Sequence, residues 1–214
     1  MRKAAAAETY EMFKQSILFI YEHMGNVFLM SALWLFASFT VVLIPVATAT
    51  VYYTVYRLLL KEDVSFRDSF RAFRVFFWRS EALGLLIAAL VLLLLIDMSF
   101  FATVPKNALV KSASGFMAWP LVFIILASNY VMPILVVKEM GVTQIVKRAS
   151  LLVLDNLGFT LALGLLSLTL IVFAIMPPFL VLAFAATLGC LQVQATVHLL
   201  TKYGADDRQK NTTP

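Results

Sequence analysis

The chain has 214 residues, 62% of them apolar and 14% charged, with a mean hydropathy of +0.90 and a formal charge of +5. A soluble domain carries roughly 45–50% apolar and about 25% charged residues, and even then more than half of its exterior is apolar. Lipid is therefore the solvent; disorder, a soluble two-domain enzyme and a disulfide-stapled scaffold are excluded together, since Cys190 stands alone.

Crossing about 30 Å of hydrocarbon at 1.5 Å per residue takes about 20 residues. Six stretches qualify: 26–44, 45–60, 83–101, 116–137, 157–176 and 178–200. Ahead of the first, Phe13, Ile17, Ile20 and Met24 step by four, three and four, placing them on one helix face. Pro45 divides the first two stretches and Pro177-Pro178 the last two. Proline sits best in a helix's first turn, so each reads as a hairpin corner, with one kinked helix as the alternative at Pro45. The second stretch is short but ends in Lys61, whose stem can lie along lipid while its ammonium reaches the interface.

From Val64 to Trp78, Phe66, Phe70, Phe73 and Phe77 repeat the same steps, and Arg67, Arg71 and Arg74 follow one position along. Ser65, with Asp68 three residues later, forms a capping box. A basic face beside an aromatic one suits a helix lying against anionic headgroups, and it equally suits a helix packing its phenylalanines as the floor of the bundle. Asp97, the one acid well inside a span, reads as a carboxylate reaching outer water. Before the fifth span, Ile145, Ala149 and Leu152 share a face that excludes Lys147 and Arg148.

With six spans, fifteen of the seventeen Lys and Arg residues share one side with the termini, leaving Lys106 and Lys111 opposite. In short loops this is the positive-inside signal, putting both termini in the cytoplasm. The expected fold is an all-α membrane protein with six transmembrane helices as three hairpins and cytoplasmic interfacial amphipathic helices, one membrane domain over 1–214. The quartets Glu22-His23-Met24-Gly25, Glu81-Ala82-Leu83-Gly84 and Asp155-Asn156-Leu157-Gly158 mark entries to spans, where glycine permits a sharp change of direction. Gly84 with Ala88, and Gly158 with Ala162, offer small faces for close helix approach. With exits at Lys61, Lys138 and Lys202, these suggest three units, 8–61, 65–138 and 143–202. Chance self-similarity in lipid-facing sequence is the competing reading.

The stretch from Asn26 to Gly84 carries Leu33-Trp34-Leu35-Phe36, Pro45-Val46-Ala47-Thr48-Ala49-Thr50, Tyr52-Tyr53, Lys61-Glu62 and Phe66-Arg67-Asp68-Ser69-Phe70-Arg71-Ala72-Phe73-Arg74. It resembles the YesL-type bacterial membrane proteins, with Arg74 where lysine is usual; beyond it the resemblance is compositional. The resemblance implies a bacterial plasma membrane and a link to carbohydrate uptake or polysaccharide utilisation, with a sugar transporter subunit as a partner. It carries over no catalytic residue.

Catalytic patterns are missing from the residues themselves. Asp97 has no second carboxylate to pair with, Ser112-Ala113-Ser114-Gly115 lacks a leading glycine and a histidine base, and neither His23 nor His198 stands in a His-Glu-x-x-His motif. No enzyme activity, metal or cofactor is expected. The three returning helices do carry polar groups eight to ten residues before their terminal lysines: Tyr52 and Tyr53, then Ser128, Asn129 and Tyr130, then Gln192 and Gln194. That depth is near the bilayer midplane. Converging helices would make them one polar site for a neutral, hydroxyl-rich ligand; interhelical hydrogen bonding is the structural alternative. The function expected is a non-enzymatic accessory or assembly protein binding membrane lipids or a partner membrane protein, with a small permease using the midplane groups as the alternative.

Overall fold

Pro45 lacks an amide hydrogen and holds its φ fixed, which weakens any helix running through it from the N-terminal side and suits it to the first turn of a new one. The computed structural model describes residues 14, 16, 18, 21, 24–62, 64–103, 108–138, 140–175 and 187–202. In it, α1 (Met24–Ser38) ends, a 3-10 turn (Val41–Leu43) follows, and α2 (Ile44–Leu59) begins with Pro45 in its first turn. The indole N–H of Trp34 donates to Thr48 Oγ1 at 3.0 Å, tying the two helices.

The end of α2 is closed by a Schellman arrangement. The Lys61 amide donates to the Leu58 carbonyl and the Glu62 amide to the Arg57 carbonyl. Lys61 adopts φ 59°, the left-handed conformation that glycine usually supplies there. Four residues beyond Lys61 the Ser65 amide donates to Asp68 Oδ2 at 3.1 Å, half of the expected capping box, and α3 (Phe66–Thr103) begins. Then come α4 (Ala108–Val137), α5 (Val142–Asp155), α6 (Leu157–Ile175) and a last helix, α7, described over 187–202.

The described chain is all helical. By length and composition two helices can cross a membrane, within Arg67–Phe101 and Gly115–Val137, and a third crossing results if α5 and α6 count as one span bent by 105°. The expected turns are not alike. At Glu81–Gly84 the change from in-plane to crossing helix does not occur: α3 runs unbroken for 38 residues. A lone glycine costs a helix only about 1 kcal/mol, and here packing outweighs that, because a Cβ on Gly84 would lie 2.3 Å from Pro45 Cγ. At Asp155–Gly158 the chain does turn, on Asn156 (φ −128°, ψ 46°), while Gly158 faces open space. The close approach on α6 is made instead by Gly164, whose Cβ would meet Leu126 Cδ2 at 2.6 Å. Pro120 and Pro133 lie inside α4 without ending it.

The core is built from α2, from Ala127 to Val136 of α4, from Ile145, Ala149, Leu152 and Val153 of α5, and from residues 189–196 of α7. α5 buries the face its periodicity marks and exposes Lys147 and Arg148. α3 does not turn its phenylalanine stripe inward. Its buried line is Ser69, Ala72, Ser80 and Leu83, with Phe76 packed against the core, while Phe70 is 55% exposed and Phe73 and Phe77 are half-buried. Small residues let α2 come close, and the large rings are pushed to the rim. The corner at Pro177-Pro178, the amphipathic stretch at Phe13, Ile17 and Ile20, Glu22, His23, Lys106, the Phe66 side chain and both termini lie outside the described residues.

Candidate functional site

Three helices distant in sequence bring their polar groups together. The Tyr52 hydroxyl of α2 donates to Gln192 Oε1 of α7, and Gln192 Nε2 donates in turn to Asn129 Oδ1 of α4 at 2.6 Å. Asn129 Nδ2 then donates back to its own helix, to the carbonyls of Ile125 at 3.1 Å and Leu126 at 3.3 Å. All three residues are buried. The neighbouring Tyr130, wholly buried, bonds the Thr160 hydroxyl of α6 at 2.9 Å, so α4 is linked to α2, α6 and α7 within two residues.

Gly189 eases this meeting: a Cβ there would sit 3.1 Å from the Tyr52 ring, which would have to give by a few tenths of an ångström for α7 to keep its distance from α2. The chain of hydrogen bonds closes on the backbone oxygens of Ile125 and Leu126, one turn back along α4.

Two of the expected residues fall elsewhere. Tyr53 points away from the network, its ring 5.8 Å from that of Phe76 and beneath the Arg57 guanidinium, also at 5.8 Å. Gln194 accepts from Ser16 at 3.2 Å and donates to the Cys190 sulfur at 3.4 Å. Along a helix, adjacent residues differ by about 100° in direction, so a doublet such as Tyr52-Tyr53 can send only one member into a given interface. Sequence reasoning missed Thr160 and the Thr54–Ser69 pair, whose hydroxyls meet at 3.1 Å between α2 and α3. The only available signal was a hydroxyl among apolar residues, which in lipid seeks a partner.

The second candidate region is the first half of α3. Arg67, Arg71, Arg74 and Arg79 are exposed, as is Trp78 at 80%. The Arg74 guanidinium lies 5.2 Å from the centroid of the Phe70 ring, a cation–π contact. Among the described residues, the two acids on this half of α3 are engaged: Asp68 with the Ser65 amide, and Glu81 Oε1 with the Val46 amide at 3.3 Å. The Glu81 contact supplies an acceptor for an orphan donor at the start of α2, where no N-cap side chain does so, and it sets negative charge at the positive end of the helix dipole. Arg57 pairs with Glu62 across the C-terminal turn of α2. Among the described residues no three His, Cys, Asp or Glu side chains group to hold a metal ion.

No curated protein and no solved structure matches the chain. A family model described as "Protein of unknown function, DUF624" matches residues 27–98, which comprise nearly all of α1, the whole of α2 and most of α3, including the stretch that resembles the YesL-type proteins.

Proposed function

We propose that the chain is a non-enzymatic integral membrane accessory or assembly protein of the bacterial plasma membrane. Its basic, aromatic half of α3 sits at headgroup level and meets a partner membrane protein there. A sugar transporter subunit is the partner implied by the resemblance. The observation that carries this reading is the contrast between spent and displayed polar groups. Tyr52, Gln192 and Asn129 are bonded to one another and to backbone, whereas Arg67, Arg71, Arg74 and Arg79 face outward. The small-permease alternative would ask the bonded groups to hold a neutral solute, and breaking buried bonds to do so costs about 1–3 kcal/mol for each group left unpaired.

Six crossings with both termini cytoplasmic are the proposed topology, supported by the bias of basic residues. One contact favours a second reading for the first hairpin. Pro45 meets α3 at Gly84, where the apolar half of α3 begins, so α1 and α2 flank the basic half of that helix and would dip into one leaflet and return. Both readings keep Arg57 to Arg79 on the same side as the N-terminus.

Purification of the tagged full-length chain from its host membrane tests the function. A stoichiometric membrane partner, lost on Arg71→Glu/Arg79→Glu, is expected. Solute flux through liposomes holding the chain alone, abolished by Asn129→Leu, would overturn the accessory role. Labelling of a cysteine at position 40 decides the hairpin: reaction from outside supports six crossings, and reaction only from the cytoplasm supports the dipping hairpin.

A further inference from the structure

An apolar groove of about 260 Å³ runs between α1, α2 and the first half of α3. Its floor is Ala47, Thr50, Val51 and Ser69, all buried, and the floor hydroxyls are already engaged: Thr50 donates to the Val46 carbonyl and Ser69 bonds Thr54. A polar solute would find no free partner on this floor. The rim is formed by Leu33 and Phe36 of α1 facing Phe70 and Phe73 of α3, with Phe36 72% exposed.

Charge lies on one side of this slot. Arg74 stacks on Phe70, itself a rim residue, and Arg67 stands three residues before Phe70, one turn away on the same helix flank. The nearby acids Asp68 and Glu81 are held by the Ser65 and Val46 amides, so two exposed guanidiniums border the groove. An apolar slot with a doubly cationic lip fits an amphiphile with an anionic head. We infer that this groove holds one acyl chain of an anionic glycerophospholipid, its phosphate on Arg67 and Arg74. Guanidinium suits that role because its planar fork engages phosphate oxygens in pairs. The volume is just below the roughly 300–1,000 Å³ of small-molecule sites, so part of one chain fills it and the rest lies along Phe36 and Phe70. The inference rests on the proposed function only in placing this half of α3 at headgroup level.

The test is native mass spectrometry of the full-length chain in neutral detergent, with phosphatidylglycerol or phosphatidylcholine added at equal concentration. One phosphatidylglycerol is expected to stay bound in preference to phosphatidylcholine. Arg67→Gln/Arg74→Gln should lower its retention roughly 30-fold, at about 1 kcal/mol per basic residue, and leave phosphatidylcholine unchanged. Ala37→Phe, which fills the groove from the α1 wall, should abolish retention with both arginines intact; Leu33→Trp, at the rim, serves the same purpose if Ala37→Phe does not fold. Equal retention of the two lipids by the unaltered chain would overturn the inference. So would retention indifferent to groove filling, or displacement of the lipid by glycerol 3-phosphate, which carries the phosphate without the chain. Partner recovery with the unaltered chain separates the two ideas: no lipid preference with the partner recovered overturns the groove alone, and no partner with the lipid retained overturns the accessory role alone.

Discussion

The apolar half of α3 and the C-terminal half of α4 are alike in composition and opposite in fate. Of the most apolar 18-residue windows in the two helices, that in α3 is 6% buried and that in α4 is 56% buried. Leu85, Leu92, Leu93 and Ile96 face outward on α3, whereas Tyr130, Ile134 and Leu135 on α4 are almost wholly enclosed. Apolarity cannot distinguish these helices, because lipid tails receive a leucine as readily as another helix does. What separates them is polarity and size. α4 carries Asn129 and Tyr130, which bond α7 and α6 and, through Gln192, join α2, and α6 and α7 offer Gly164 and Gly189 at the points of approach. The outer half of α3 has no such anchors.

The largest test of this contrast lies where α3 does make a tight contact. Gly84→Leu would drive a side chain into Pro45 and is expected to destabilise the fold by about 3 kcal/mol. Gly158→Ala, in open space, should be neutral or stabilising by up to about 1 kcal/mol. Thermal unfolding in detergent compares the two, and equal effects would break the argument from close approach.

Next in size is a leucine exchanged between the contrasting helices. Leu135→Ala, at 1% exposure, leaves a cavity and should cost about 2 kcal/mol, the lower end of the range seen in water because the hydrocarbon-transfer part is absent in lipid. Leu93→Ala, at 56% exposure, should change stability by less than about 0.5 kcal/mol. A large loss at Leu93 would mean that another chain covers α3.

The network sets a smaller effect. Gln192→Leu removes the link between Tyr52 and Asn129 and is expected to cost about 1.5 kcal/mol, against about 0.6 for Tyr52→Phe. With Gln192→Leu in place, Tyr52→Phe should cost almost nothing more; additive losses would show that the two act independently. Smallest is Lys61→Gly, which relieves a left-handed lysine and should stabilise by about 1 kcal/mol or less.

Much of the local structure was legible from residue type. The start of α2 at Pro45, the Ser65–Asp68 cap and the inward face of α5 each depend on neighbours within four residues, and each stands where it was expected. The candidate polar residues were legible as a set but not as a site. Tyr52 enters the network and Tyr53 does not, Gln192 enters and Gln194 bonds Ser16, and nothing within either doublet marks which one. The phenylalanine stripe of α3 left two readings open, headgroup face or bundle floor, for a related reason. Periodicity identifies a common face, and in water the large apolar face would turn inward; here Ser69, Ala72 and Ser80 do so, because they admit a second backbone.

The sequence alone determined that the solvent is lipid, that the described residues are helical, that a helix starts at Pro45 and that Asp68 caps the start of α3, since these follow from composition and from contacts a few residues apart. Tertiary structure decided that α3 passes Gly84 without turning, which face of it is buried, and which polar groups meet across 63 and 140 residues of chain. The physical reason is one and the same: where both faces of a helix are at home in hydrocarbon, only close approach and hydrogen-bond complementarity choose between them, and both are properties of pairs of helices.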